Sequence, residues 1–421
     1  MKKDTKKAAE GSEAPGERDH RVIGKELGLF AFSDTVGKGL PLWTAKGAVL
    51  RRELERFITD EELRRGYQHV ATPDIAKIDL YKKSGHYPYY KESMYAPIDI
   101  DGELFMLRPM SCPHHFELYL SAPRSYRELP MRIAEFAKMY RYELSGTLSG
   151  LVRVRGFCLS DAHIICADTT QAAAEVSSVL DLIDYFSGVF GLHKGKDYWY
   201  RLSLGDRADE KKYYKDDVAW DAAEEVLRSV LKKRGEKFTE AEHEAAFYGP
   251  KIDVQMKDVR GLENTAFTVQ YDFVMPKRFK LVYTDNGGAE KEAIVIHRSS
   301  VGALERLIAF LIEKYDGAFP LWLSPVQTKV LPVGEKFLPY ARSIHTELIN
   351  SGIRSDLDET NETLGKKVHS AKVEKVPYWI VVGEKEEKEN MLTLEGRDGK
   401  KQVLILADAI AFLKKQIAEK N

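Results

Sequence analysis

The run from Arg153 to His163 constrains this chain more than any other stretch. Its odd positions are Arg153, Arg155, Phe157, Leu159, Asp161 and His163; the interleaved Val152, Val154, Gly156, Cys158, Ser160 and Ala162 are small or apolar. Side chains in a strand alternate between faces, so this period predicts a strand with one functional surface. A strand that only covers a core needs alternation. It does not need two guanidiniums, a ring, a carboxylate and an imidazole side by side. Arginines hold phosphates, a ring stacks on a base, and Asp with His holds an amine or a metal. The face reads as a floor for an anionic, aromatic, amino-bearing ligand.

Such a strand needs a sheet, and the flanking sequence supplies one. The stretch RIAEFAKMYRYEL precedes a Gly/Ser-rich loop, SGTLSG, and predicts the hairpin partner. Further strands are predicted at YQHVATPDI, ELFMLRPMSC, YWYRLSLGD, KIDVQMKDV, TAFTVQYDFV, RFKLVYTD and EAIVIHRS. Helices are predicted where apolar residues recur at helical spacing: around Val49, Leu50, Leu54, Phe57 and Ile58, in CPHHFELYLSA, from Thr170 as the cap of TTQAAAEVSSVLDLIDYFSGVFG, and in VGALERLIAFLIEKYDG. This is an α+β arrangement with an antiparallel sheet. After about Ser324 short apolar runs alternate with helical stretches, the pattern of an α/β sheet, and a hairpin around Asp398-Gly399 precedes a closing helix. The expected division is a tail at 1–17, one domain at 18–323 and a second at 324–421.

At 421 residues, 43% hydrophobic and 31% charged, the chain reads as an ordinary globular protein of about two domains. A net charge of −1 announces no global field for nucleic acid, which leaves a local patch open. Three cysteines, Cys112, Cys158 and Cys166, build no disulfide framework and fit a reducing cytoplasm. No apolar run reaches membrane-spanning length, and no signal segment opens the sequence.

The chain has neither a P-loop nor a dinucleotide fingerprint; Gly37-Lys38-Gly39 lacks the third glycine. Phosphate binding therefore falls to side chains. Arg141 and Glu143 are two apart, hence on one face of a continued strand, where they serve equally as a phosphate clamp or as an ordinary ion-pair network. Cys112, His163 and His297 together would make a zinc site with its fourth position open, as catalytic zinc requires. They are far apart in sequence, so spacing does not select them. His114 and His115, beside Cys112, compete, and a structural histidine is the common alternative.

These residues, taken together, resemble the threonyl-tRNA synthetases of the class II aminoacyl-tRNA synthetases. YQHVATPDI resembles motif 1, RIAEFAKMYRYELSGTLSGLVRVRGF motif 2 and VGALERLIAFL motif 3, while LRPMSCP, DAHIIC and IVIHR match the segments that carry the family's zinc ligands. The resemblance runs from residue 19 to the end. It implies a class II catalytic domain followed by an anticodon-binding domain, and an ATP-dependent ligation of L-threonine to threonine tRNA through threonyl-adenylate. It further implies one Zn2+ per chain on Cys112, His163 and His297, Mg2+ with ATP, and a cytoplasmic homodimer formed through motif 1.

By position, the resemblance gives Arg141 the α-phosphate, Glu143 the adenine amino edge and Phe157 the adenine ring. Arg153 and Arg306 take the triphosphate and the other face of adenine, and Lys251 lies near the phosphates. Asp161 takes the threonine hydroxyl, with Met110, Tyr248 and Gln270 completing that pocket. His86 approaches the terminal adenosine of the tRNA, and Asn361 and Glu386 touch the anticodon. The sequence departs from the family at Leu159, usually Gln, at Ser149, often His, and at Glu395, often Arg. It also shows no counterpart of the domain that clears seryl-tRNA, so the expectation is synthesis without editing in cis. A paralogue that binds RNA or regulates without aminoacylating is the alternative reading.

Overall fold

A computed structural model describes Gly16 and residues 18–420; the expected tail at 1–17 otherwise lies outside the described residues. The chain forms two compact units. One comprises Phe32–Pro41 and Phe57–Ala309; the other comprises the described residues up to Ala31, Leu42–Arg56 and the chain from Phe310.

The first unit is built on a sheet of eight strands: β1 (Gln68–His69), β2 (Met131–Tyr140), β3 (Gly156–Cys166), β4 (Tyr198–Ser203), β5 (Phe238–Ala241), β6 (Lys251–Lys257), β7 (Glu263–Asp272) and β8 (Ile294–Ser299). Their spatial order is β5-β4-β6-β7-β8-β3-β2-β1, antiparallel throughout except for the parallel edge pairs β5–β4 and β1–β2. A long helix (Thr169–Val189) presents Val176, Val179, Leu180, Ile183 and Phe186 to the sheet, the spacing that makes a single apolar stripe. Its N-cap is Asp168, whose extended backbone lets the carboxylate accept from Gln171 N at 2.8 Å; Thr170, the predicted cap, is already inside the helix. A smaller three-stranded sheet pairs Ile75–Lys77 and Ile98–Ile100 with Glu103–Leu107.

The functional strand differs from its sequence pattern in two ways. It begins at Gly156, paired with Tyr140, so Arg153 and Arg155 precede it in the turn, and Arg141 and Glu143 follow the end of β2. Its burial also fails to alternate, because every residue from Ser160 to Cys166 is buried. A central strand covered on both faces loses the wet side that alternation reports.

In the second unit a five-stranded sheet runs β10-β9-β11-β12-β13, with β9 (Thr328–Pro332), β10 (Ser355–Leu357), β11 (Tyr378–Val382), β12 (Leu392–Gly396) and β13 (Lys401–Leu404). Strands β10, β9 and β11 are parallel, while β12 and β13 add an antiparallel hairpin. Gly399 closes that hairpin at φ 82°, which an L side chain adopts only with strain. Among the described residues no helix is long and apolar enough to cross a membrane.

Candidate active site

One row of paired residues crosses the large sheet. Lys251 faces Gln270, Gln270 faces His297, and His297 faces His163. Directly opposed residues in antiparallel strands share a face, so four strands deliver these side chains to one surface. Along β3, Phe157, Leu159 and Asp161 follow on the same side as His163. A cleft of about 400 Å³ opens over this row. Met110, Cys112, Arg141, Glu143, Arg153, Tyr248 and Arg306 line it together with the row and the β3 residues. Arg155 does not; its guanidinium lies over Tyr142 at 5.6 Å and its Nε donates to the Glu143 carbonyl at 2.9 Å.

One end of the cleft is a cluster of soft donors. Cys112 opens the helix Cys112–Leu120, and ligand atoms of Cys112, His163 and His297 all lie within 4.8 Å of one another. All three residues are buried. Burial, with the Asp161 and Asp272 carboxylates nearby, raises the Cys112 thiol well above its usual range. Burial, with His297 and His115 nearby, holds His163 well below its usual range. Two imidazoles and a thiol gathered this closely are a donor set that fits zinc. His86 does not line the cleft. It is fully buried behind the thiol, with Nε2 3.7 Å from Cys112 Sγ and Nδ1 2.8 Å from Ser84 Oγ, and burial pushes it down to about 3.

Next to this cluster Asp161 accepts from the Ser111 hydroxyl at 2.5 Å, and burial raises its carboxyl above the ordinary range. Tyr248 stacks on His297 with ring centres 4.9 Å apart and donates its hydroxyl to Gln270. These groups form a small polar pocket with an aromatic wall.

The other end is cationic. The Arg141 guanidinium lies 5.1 Å from the centre of the Phe157 ring, and its partial withdrawal from water into the cleft wall lowers its pKa. Arg306 is held by two backbone carbonyls, Val152 O at 3.1 Å and Thr265 O at 2.6 Å. Burial, then the neighbouring charges of Arg141 and Arg153, push it down to about 10. Guanidiniums crowded until they repel one another make a site prepared for a polyanion. Glu143 pairs with Arg153 at 2.8 Å, and Lys251 with Asp253 at 2.7 Å.

In the second unit Asn361 is exposed in the loop after β10, and Glu386 lies in the helix that starts just after β11. Both therefore sit at C-terminal ends of parallel strands, where open α/β sheets bind ligands. Glu386 accepts from Gly383 N at 3.0 Å and Thr393 Oγ1 at 3.1 Å, and Glu395 pairs with Lys401 at 3.1 Å.

Three residues stand behind the cluster, and two of them, Asp272 and Glu135, escaped the sequence reading. Asp272 lies 2.8 Å from His297 Nε2, His115 lies 2.7 Å from His163, and Glu135 lies 3.2 Å from His115. Only His115 left a trace in the sequence, as a neighbour of Cys112.

Residues 95–315 match the family described as the tRNA synthetase class II core domain (G, H, P, S and T), and residues 327–416 match an anticodon binding domain. A threonine--tRNA ligase of Geobacillus sp. (strain WCH70) is 48% identical over 403 residues, which are 95% of this chain and 62% of that protein. A threonine--tRNA ligase of Streptococcus thermophilus (strain ATCC BAA-491 / LMD-9) is 47% identical over 403 residues, 95% of this chain and 61% of that protein. This chain thus spans about three fifths of the length of these curated relatives. The crystal structure of the RNA binding domain of threonyl-tRNA synthetase from Cryptosporidium parvum Iowa II superposes with a TM-score of 0.89 at 35% identity, covering 94% of this chain and 98% of that one.

Proposed function

The chain belongs to the class II tRNA synthetases, and from that premise we propose that it activates L-threonine with ATP and transfers it to threonine tRNA. The observation that carries the reading is the cleft itself, with a Cys/His/His cluster and a buried Asp161 at one end and three arginines at the other. Threonine and ATP must meet between two such ends for a carboxylate oxygen to attack the α-phosphorus as the bond to pyrophosphate breaks. Arg141 takes the α-phosphate oxygens, Arg153 and Arg306 the triphosphate and the other face of adenine, and Lys251 lies near the phosphates, with Mg2+ accompanying ATP. Phe157 offers its ring to the adenine and Glu143 its carboxylate to the adenine amino edge.

Cys112, His163 and His297 would hold zinc, which supplies an electrophile for the amino and hydroxyl groups of the amino acid. Asp161 accepts from the hydroxyl, while Met110, Tyr248 and Gln270 close the pocket. Valine lacks the hydroxyl and would leave the zinc, and the Asp161 oxygen that Ser111 does not occupy, without that contact, which rejects it strongly. Serine keeps the hydroxyl and loses only a methyl, worth about 1–3 kcal/mol. Leu159 lines the same cleft with an apolar side chain and gives the substrate no polar contact. His86, packed behind Cys112, reaches the terminal adenosine only if this wall moves.

Residues 324–421 serve as the anticodon-binding part, with Asn361 and Glu386 on its ligand-binding edge. Ile75, Ile98 and Ile100 are exposed on one face of the small sheet, beside the half-buried Phe105 and Leu107, and such a face supports a homodimer through the motif 1 region. Three buried cysteines that form no disulfide with one another support a reducing, cytoplasmic setting.

Threonine-dependent exchange of pyrophosphate into ATP tests the reading. Exchange that requires threonine and disappears in Cys112→Ala together with bound zinc is expected. Absence of exchange in the zinc-loaded protein would favour the RNA-binding paralogue, and full exchange without metal would overturn the zinc assignment.

A further inference from the structure

A buried hydrogen-bonded chain runs from the ligand cluster away from the cleft. His163 Nδ1 lies 2.7 Å from His115 Nδ1, and His115 Nε2 lies 3.2 Å from Glu135 Oε2. Glu135 is fixed in turn by Thr72, through N at 3.1 Å and Oγ1 at 2.7 Å, and by Arg108 Nη2 at 3.2 Å. A carboxylate only accepts, so the hydrogen between Glu135 and His115 sits on His115 Nε2. With that hydrogen on Nε2, His115 accepts at Nδ1, and His163 donates from its own Nδ1. The lone pair of His163 is left on Nε2. His297 reaches the same condition in one step: its Nε2 donates to Asp272 at 2.8 Å, which frees Nδ1.

The local sequence explains the economy of this arrangement. Cys112 and His115 are three apart at the start of one helix, so both lie on the face that meets β3. Ordering that first turn sets a ligand and the partner of another ligand together. His114, the other neighbour, packs toward Tyr81 instead, with ring centres 6.2 Å apart.

We propose that His115 and Glu135 are positioning residues that lock His163 in the Nδ1–H tautomer, and that this relay sets the affinity of the cluster for a divalent cation. The proposal rests on the zinc reading above. Without His115 the ring of His163 keeps two tautomers and buries a polar nitrogen without a partner.

The test titrates zinc into the metal-free full chain against a chromophoric chelator, with wild type, His115→Leu, His115→Gln and Cys112→Ala compared. Glutamine can accept from His163 and donate to Glu135, so it rebuilds the relay that leucine breaks. Zinc affinity about 10–100-fold weaker in His115→Leu and within about threefold of wild type in His115→Gln is the expected result. Wild-type affinity in His115→Leu, or equal weakening by both substitutions, would overturn the relay. Equal zinc binding by wild type and Cys112→Ala would instead sink the zinc reading. Should His115→Leu fail to fold, 15N chemical shifts of histidine-labelled, metal-free wild type decide directly. The Nδ1–H form of His163 supports the proposal, and the Nε2–H form or a mixture refutes it.

Discussion

Removing either member of the Arg298–Glu62 pair should destabilise the first unit more than removing both. Arg298, one residue past His297, has a side chain 0% exposed, and Glu62 is 1% exposed at 2.8 Å from it. Glu62 Oε2 also meets His69 Nε2 at 2.8 Å, and the Ser300 and Ser160 hydroxyls approach Oε1 at 3.2 and 3.3 Å. The guanidinium lies 4.3 Å from the centre of the Tyr67 ring. Burial alone would raise the Glu62 carboxyl, but Arg298 and His69 outweigh it and hold the pKa below its usual value, so the pair is charged. At an effective dielectric of about 20, charges this close attract by roughly 6 kcal/mol. Withdrawing two ions from water costs several kcal/mol each, so the pair gains little over an apolar pair of the same volume. Glu62→Leu or Arg298→Met alone leaves one buried charge uncompensated, at about 3–5 kcal/mol. The double variant is expected to cost less than either single one. Urea-dependent amide hydrogen exchange of β3 and β8 measures all three, because both strands carry the site and flank the pair. Costs that add to within about 0.5 kcal/mol would refute the reasoning, since they would mean the two groups do not interact.

Three further outcomes follow from the site. Asp161→Asn is expected to cut the preference for threonine over valine at least roughly tenfold, read as kcat/KM in pyrophosphate exchange, because a neutral amide can orient its NH2 rather than its oxygen toward the substrate. In Arg306→Lys the KM for ATP should rise roughly tenfold, a loss of about 1.4 kcal/mol, because an ammonium cannot hold Val152 O and Thr265 O while meeting a phosphate; an unchanged KM would remove Arg306 from the nucleotide site. Glu135 predicts an acid limb of stability: burial raises its pKa, but the bonds from His115 and Thr72 and the charge of Arg108 bring it down to about 2. A depressed carboxyl stabilises the folded state above the unfolded value of 4.5 and loses that contribution as pH falls toward 2, about 3 kcal/mol across the window. Glu135→Gln should flatten the slope of unfolding free energy between these two pH values, and an unaltered slope would contradict the assignment.

Much of the architecture was legible because it is written in short-range patterns. The apolar stripe of the helix Thr169–Val189, the alternation into β3, and Asp398-Gly399 between two runs each follow from spacing that neighbouring residues impose. Boundaries were less legible. Arg153 and Arg155 continue the period of β3, yet the ladder ends at the Tyr140–Gly156 pair, and the segment beyond folds as a turn that sends Arg153 toward the cleft and Arg155 toward Tyr142. Asp168 took the cap from Thr170 because its backbone, and not its position in a pattern, was extended.

By itself the sequence determined which donors exist: a thiol, several imidazoles, and a strand face carrying a ring and a carboxylate. Spacing could not choose among His114, His115, His163 and His297 as companions of Cys112, since residues near in the chain looked as eligible as distant ones. The tertiary structure brings His163 and His297 to Cys112, and it does so through register. Pairing β8 with β3 sets His297 opposite His163, and the helix that begins at Cys112 closes over that pair. Register is a long-range property, specified by which faces can be buried together, so it lies in no local window of sequence. The registers of β2 with β3 and of β7 with β8 set Glu135 beside His115 and Asp272 beside His297, two carboxylates of which the local sequence gives no hint.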